Sequence, residues 1–182
     1  MIEFNGDKLR EMTEDDLPQV LEWRNHPDVR KNMYTYHEIS PDEHQKWFEQ
    51  VSKDPSVRLF VFESNNTPLG FVSFTNISQQ HRRADWAFYS GDLKKKGLGS
   101  RMESLALLYA FEELKLNKLC CEVLSFNEPV VKFHQRFGFE IEGTLKAHYC
   151  RDSELFDVIQ LALFKDNWAA TKEQIMSRVN NG

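Results

Sequence analysis

Trp86-Ala87-Phe88-Tyr89-Ser90-Gly91-Asp92-Leu93-Lys94-Lys95-Lys96-Gly97-Leu98-Gly99-Ser100-Arg101 carries the chain from an apolar strand through Gly97 and Gly99 straight into a long amphipathic stretch. The first N–H groups of a helix have no intrahelical acceptor, and the macrodipole places partial positive charge at the same end. Glycines let the backbone approach an anion closely, and the three lysines add positive potential, so the segment reads as a phosphate cradle on a helix N-terminus. A Gly-x-Gly before a helix is a tight turn at least as often as a ligand site, so this stretch alone leaves both readings open.

Outward from this loop, the apolar spacing of Leu98, Met102, Leu105, Ala106, Tyr109 and Phe111 predicts a helix over 98–114. The apolar run Leu119 to Leu124 predicts a strand parallel to the one containing Trp86. Asn127-Glu128-Pro129-Val130-Val131-Lys132-Phe133-His134 opens another helix and ends at Phe137-Gly138-Phe139. Upstream, Ile2 to Met12 reads as a first strand. Thr13-Glu14-Asp15-Asp16 and Ser40-Pro41-Asp42-Glu43 are capping signals for two helices, the second with Glu43 reaching back to Ser40. Arg58–Glu63, Leu69–Asn76 and Arg83–Ser90 form an antiparallel meander. Phe139–His148 and Glu154–Phe164 form a hairpin before a polar C-terminal helix.

The chain has 182 residues, 41% hydrophobic, and shows no Pro/Gly/Ser-rich linker, so one domain over 1–182 with one substantial core is expected. A formal charge of −5 argues against general nucleic-acid binding, which draws on many Lys/Arg–phosphate contacts. No apolar run approaches the roughly 20 residues that span a bilayer, and the unpatterned Met1–Arg10 does not read as a signal peptide, so a cytoplasmic protein without membrane contact is expected. Cys120, Cys121 and Cys150 lack CxxC spacing and the six histidines lack ligand spacing, so no disulfide framework and no metal are expected.

The glycine loop and the Asn127 to Phe139 segment together resemble the GNAT superfamily of N-acyltransferases. That resemblance implies an α/β (α+β) fold: a mixed, mostly antiparallel seven-stranded sheet with helices on both faces and a splayed parallel strand pair holding acetyl-CoA. It implies cofactor contacts from Trp86, Ala87, Phe88 and Tyr89 on the splayed strand, and from Lys94, Gly97, Leu98, Gly99, Ser100 and Arg101 on the loop. Asn127 and Phe133 would lie beside the pantetheine arm. Asn127 is also a good N-cap. Lys94 stands where the family carries Gln or Arg, and His134 where many members carry tyrosine.

Further blocks resemble the N-acetyltransferases of pseudaminic acid biosynthesis: Trp23-Arg24-Asn25-His26-Pro27, Val29-Arg30, Met33-Tyr34, Ile39-Ser40, His44, Trp47, Cys121-Glu122-Val123-Leu124 and Asp157-Val158 to Trp168. They imply acetyl transfer from acetyl-CoA to the 4-amino group of UDP-4-amino-4,6-dideoxy-N-acetyl-β-L-altrosamine, a nucleotide-sugar step toward flagellin glycosylation. Direct attack of an amine on a thioester needs a proton acceptor, an oxyanion donor and an acid for the leaving thiolate. Glu122, with partial burial raising its pKa, and His44 are the candidate bases, and His134 is the candidate acid. Met33, Tyr34, Trp47, Tyr89 and Leu124 are candidate apolar contacts for the 6-deoxy sugar. Arg24 and Arg30, and more weakly Lys31, His81, Arg82 and Arg83, are candidates for the diphosphate. Two alternatives stay open: an acetyltransferase of the same fold acting on a protein N-terminus, such as a ribosomal protein, and a catalytically silent acyl-CoA-binding module. A homodimer is also left open.

Overall fold

A computed structural model describes residues 1–180. Its first departure from the expected strands is at Asn5-Gly6, where both residues take positive φ (53° and 79°) and reverse the chain. Asn-Gly is the strongest short hairpin signal because both turn positions need the left-handed region. The single strand expected over Ile2–Met12 is therefore a hairpin of β1 (Ile2–Phe4) and β2 (Asp7–Glu11), and the sheet has eight strands instead of seven.

The remaining strands are β3 (Arg58–Ser64), β4 (Thr67–Ser78), β5 (Arg83–Ser90), β6 (Lys118–Leu124), β7 (Glu140–Arg151) and β8 (Glu154–Phe164). They lie in the order β1-β2-β3-β4-β5-β6-β8-β7. Every neighbouring pair is antiparallel except β5 and β6. That parallel pairing covers only Arg83–Asp85 against Lys118–Cys120. Beyond it β5 stays bonded to β4 as far as Ser90, and β6 stays bonded to β8 as far as Leu124, so the sheet splits into a wedge. The splayed pair is the expected one.

The helices are α1 (Leu17–Asn25), α2 (Pro27–Arg30), α3 (Pro41–Val51), α4 (Leu98–Leu108), α5 (Glu128–Gln135) and α6 (Lys165–Asn180). Alternation along β3 sends Phe60 and Phe62 to one face and Val61 to the other. On the first face α4 buries Leu98, Met102, Leu105 and Ala106 against Phe60, Phe62 and Phe74. On the second, Val20 and Trp23 of α1 and Trp47 and Phe48 of α3 pack with Val61, Phe71 and Tyr89. The helix expected to run to Leu114 changes character after Leu108: Leu114 N donates to Tyr109 O at 2.9 Å, five residues back, which widens its last turn.

The caps come out as the residue types require, with one exchange. Asp16 accepts from Thr13 N at 2.8 Å before α1. Ser40 Oγ accepts from Glu43 N at 3.2 Å at the start of α3, but the Glu43 carboxylate meets His37 instead of reaching back. Asp152 and Ser153, both at positive φ, turn β7 into β8, and β7 runs on to Arg151 instead of stopping at His148.

At the end of β5, Gly91 donates to Leu69 O at 2.7 Å, and a Cβ there would run into the Trp23 indole. The close approach seats α1 beside the open end of the wedge. Gly91→Ala is expected to cost about 1–3 kcal/mol through overpacking, seen as a fall of several degrees in Tm, whereas an unchanged Tm would show that the indole moves aside freely.

Candidate active site

Two cavities share Tyr89 near the open end of β5, and a third lies against the loop that follows that strand. The first, about 620 Å³, lies against the glycine loop and is lined by Lys95, Lys96, Gly97, Ser100, Arg101 and Arg136 among others. Asp92 builds the approach to it: its Oδ1 accepts the amides of Lys94 (3.1 Å) and Lys95 (3.2 Å). Gly97 is the N-cap of α4 at φ 78°, a conformation costly for any residue with a Cβ, although no atom would crowd one there. A Cβ on Gly99 would meet only Phe133 and Phe88 at ordinary distances of 3.5 and 3.9 Å. Backbone conformation alone calls for glycine at position 97, whereas at Gly99 neither conformation nor packing does, so the small residue there leaves the helix N-terminus open to close approach.

Three loop residues behave differently from expectation. Lys95 and Lys96, not Lys94, line the cavity. Leu98 is buried in the core and offers only its backbone. The Arg101 guanidinium is tied to Asp7 Oδ1 (2.9 Å) and Ser64 Oγ (3.1 Å), so it joins α4 to β2 and β3 at the cavity floor.

The second cavity, about 260 Å³, is the wedge itself. Trp86, Ala87, Phe88 and Tyr89 line one side, Cys121, Glu122 and Val123 the other, with Met33, Asn127 and His134 closing it. Between Trp86 and Tyr89 the β5 edge facing β6 has no strand partner, so its peptide groups are presented to the cleft. Asn127 stands at the N-cap position of α5 but makes no side-chain cap bond, so its amide is not consumed by helix capping. His134 is 4% exposed, surrounded by the rings of Trp86, Phe88, Phe133 and Phe139, and its Nδ1 lies 3.0 Å from Glu103 Oε1. Glu103 was not singled out from sequence, because its position on α4 reads as one more polar residue on an amphipathic helix. It is 0% exposed, and burial pushes its carboxyl above the usual range against the pull of His134 and Arg136.

Glu122 lines the cleft but is exposed, so the partial burial expected to tune it is absent. Its carboxylate accepts from Tyr34 OH at 2.6 Å and from Gln160 Nε2 at 3.2 Å. Burial, reinforced by Glu122, holds the Tyr34 hydroxyl well above its ordinary pKa. The segment carrying Met33 and Tyr34 is fastened by Arg151, which sequence reading passed over. Its guanidinium donates to Lys31 O (2.7 Å) and Met33 O (3.0 Å) and sits 4.4 Å over the Tyr36 ring, while Tyr149 OH donates to Tyr34 O at 2.9 Å. An arginine at the end of a hairpin carries no local signal of this; only tertiary structure brings it to a loop about 120 residues away.

The third cavity, about 240 Å³, adjoins the wedge through Tyr89 and is lined by Arg24, Thr35, Ile39, Glu43, His44, Trp47 and Phe71. His44 is buried, stacked on Trp47 at 5.1 Å, and its pKa is lowered by burial first and then by the Arg24 charge. Arg24 donates through Nη2 to Thr35 O at 2.7 Å, while its Nη1 is buried with no partner among the described residues. The two candidate bases thus fall in different cavities. Glu122 faces the wedge and His44 the chamber beyond Tyr89.

Other expected contacts are not brought here. Leu124 is buried with Tyr149 and Val158 in a small core cluster away from all three cavities. Arg30 lines none of them, and Lys31 is paired with Asp28. His81, Arg82 and Arg83 lie at the β4–β5 turn, where β5 and β6 are still paired, at the opposite end of β5 from the opening. Among the described residues no group of three or more His, Cys, Asp or Glu is gathered as a metal would require, and no helix is long and apolar enough to cross a membrane.

Residues 8–140 match the family model described as an acetyltransferase (GNAT) domain. Spermidine N(1)-acetyltransferase of Escherichia coli K12 is 28% identical over 164 residues, covering 90% of this chain and 88% of that protein. Acetyltransferase PseH of Campylobacter jejuni strain 81-176 is 29% identical over 145 residues, covering 78% of this chain and 90% of that protein. In fold the chain is similar to a spermidine N-acetyltransferase from Vibrio cholerae solved with CoA and spermine, with a TM-score of 0.83 at 23% identity over 91% of this chain and 99% of that one. A cationic glycine loop leading into a strand wedge, on a sheet with these relatives and a family match over most of its length, places the chain in the GNAT acetyltransferase family, as an acyltransferase.

Proposed function

We propose that the protein acetylates the 4-amino group of UDP-4-amino-4,6-dideoxy-N-acetyl-β-L-altrosamine, using acetyl-CoA held along the β5–β6 wedge. The residues present fit that cosubstrate. The amides of the first turn of α4, with Lys95, Lys96 and Arg136, suit a pyrophosphate, and the unpaired β5 edge and Asn127 suit the amides of a pantetheine arm. When bound, acetyl-CoA supplies the activated acyl carbon. The chain supplies placement, the β5 amides as donors to the developing oxyanion, Glu122 as proton acceptor from the amine, and His134 as proton donor to the departing sulfur. This assigns the base to Glu122 over His44, because Glu122 shares the wedge with His134.

The observation that carries the choice of acceptor is Arg24. A half-buried guanidinium whose buried Nη1 has no partner among the described residues, lining an aromatic chamber next to the wedge, is satisfied by an acceptor that brings oxygen atoms and is penalised by one that brings positive charge. Burial already presses on the Arg24 charge, so a neighbouring polyammonium would add to an existing cost. Trp47, Phe71 and Tyr89 in the same chamber provide apolar surface for a sugar that carries a methyl in place of a 6-hydroxyl. The PseH relatives support the same reading. A polyamine acceptor is the second reading, favoured by the spermidine acetyltransferase relatives and by the carboxylates of Glu43 and Glu122 on the acceptor side.

Incubating the protein with acetyl-CoA and, in parallel, the UDP-4-amino sugar, spermidine or ribosomal N-terminal peptides separates these readings. Thiol release with an acetyl mass gain on the sugar nucleotide alone is expected, and acetylspermidine with untouched sugar would overturn the acceptor while keeping the fold. Arg24→Met is expected to raise the KM for the sugar nucleotide at least about tenfold and leave that for acetyl-CoA within about twofold; an unchanged sugar KM would remove Arg24 from the site. Gly99→Ala is expected to hold or raise Tm, since alanine suits a helix better by about 1 kcal/mol, and to raise the acetyl-CoA KM strongly. A normal KM would show that nothing approaches this turn closely.

A further inference from the structure

We propose that Glu103 is a positioning residue for His134, fixing the imidazole with Nδ1 toward α4 and Nε2 toward the wedge, so that the buried pair acts as the proton donor to the leaving sulfur. The proposal rests on the reading of His134 as the acid and extends it to a residue that no expectation named. Four observations carry it. Glu103 is fully buried, and an acidic side chain is almost never found so unless it is paired. Its only hydrogen-bonding partner among the described residues is His134 Nδ1, at 3.0 Å. Its second oxygen, Oε2, is buried without a partner, a cost that a residue retained for stability alone would not carry. Finally, His134 lines the wedge, so with Nδ1 committed to Glu103 it is Nε2 that remains to serve the cleft.

The charge balance explains why a carboxylate belongs there. With a proton on Nε2 and another between Nδ1 and Oε1, the pair is neutral overall, the state a water-poor interior favours. In the reaction the amine nitrogen forms a bond to the acyl carbon and the carbon–sulfur bond breaks with its electron pair on sulfur. The sulfur takes the Nε2 proton, and the amine proton passes to Glu122. The pair is then left with one proton, on Nδ1, and a net negative charge, so it parts with the Nε2 proton only as the thiolate develops. Burial pushes Glu103 upward, and Arg136 at the end of α5 pulls it back. The other charged or titratable groups facing the pair are Cys121 on β6, whose thiol burial and then Glu103 push well up, and Glu122 and Tyr89 across the cleft. The rings of Trp86, Phe88, Phe133 and Phe139 pack around His134 on its other sides.

The test is kcat and kcat/KM against pH, with thiol release as readout, for the wild type, Glu103→Gln, His134→Ala, His134→Tyr and the Glu103→Gln/His134→Tyr double variant. His134→Ala is expected to lower kcat roughly 10²-fold. Glu103→Gln is expected to lower kcat about tenfold and move the alkaline limb down by about one pH unit, with the acetyl-CoA KM within about twofold. In the His134→Tyr background, where no imidazole needs orienting, adding Glu103→Gln should change kcat less than about twofold. A wild-type rate and limb in Glu103→Gln, beside a crippled His134→Ala, would overturn the pairing and leave His134 a lone acid. Loss of less than about threefold in His134→Ala would overturn the assignment of His134 itself. Nitrogen NMR of the histidine-labelled wild type decides the matter without any variant: above the limb, a single proton on Nδ1 supports the pairing, and one on Nε2 overturns it.

Discussion

Everything that makes this chain a candidate catalyst follows from the point at which β5 and β6 stop pairing. Up to Asp85 and Cys120 the two strands run parallel and bonded; beyond it each keeps only its outer neighbour. A strand edge stripped of its partner inside a sheet leaves peptide groups unmet, and the natural remedy is a ligand that behaves like a strand. The wedge has to be propped, and aromatic rings do this. Trp86 and Phe88 point to the same side of β5 and stack at 5.2 Å, and Phe133, His134 and Phe139 pack on them from α5 and the loop beyond it. His134 is therefore both a prop of the wedge and part of its wall.

The same opening organises the other two cavities. At one end of the wedge, the chain leaving β5 must turn into α4, which brings that helix's N-terminus, the Asp92-ordered lysines and Gly97 to the mouth. At the other side, Tyr89 is shared with the chamber of Arg24, His44 and Trp47, held by α1 and α3 on the opposite face of the sheet from α4. The strand-lined cleft and the chamber of Arg24 thus share Tyr89, and the cationic mouth lies where the chain turns from β5 into α4.

Much of this was legible in the sequence because the signals are local. Ser40 marks where α3 begins, the Thr13–Asp16 capping box marks the short turn that leads into α1, apolar spacing predicts α4, and Gly97 and Gly99 mark the mouth. Asn5-Gly6 is an equally local signal: turn chemistry there outweighs the strand propensity of the residues on either side and splits one long strand into a hairpin. What could not be read were contacts made by distant parts of the chain. Partial burial is expected of Glu122 from its place on the parallel strand beside the acetyl group, yet it is exposed on the open side of the wedge. Leu124, two residues on, points into a core cluster with Tyr149 and Val158 instead of toward a substrate. Arg151 reaching the 31–36 loop and Glu103 meeting His134 depend on how β7 and α4 are placed in space, and neither has a spacing that announces it.

The claim on which the rest depends is that the unpaired β5 edge is a binding surface. A crystal structure of the protein with CoA tests it directly. The account predicts pantetheine amides bonded to the β5 backbone between Trp86 and Tyr89, with the pyrophosphate over Gly97 to Ser100. CoA lodged elsewhere, or β5 and β6 zipped together past Asp85 and Cys120, would contradict it.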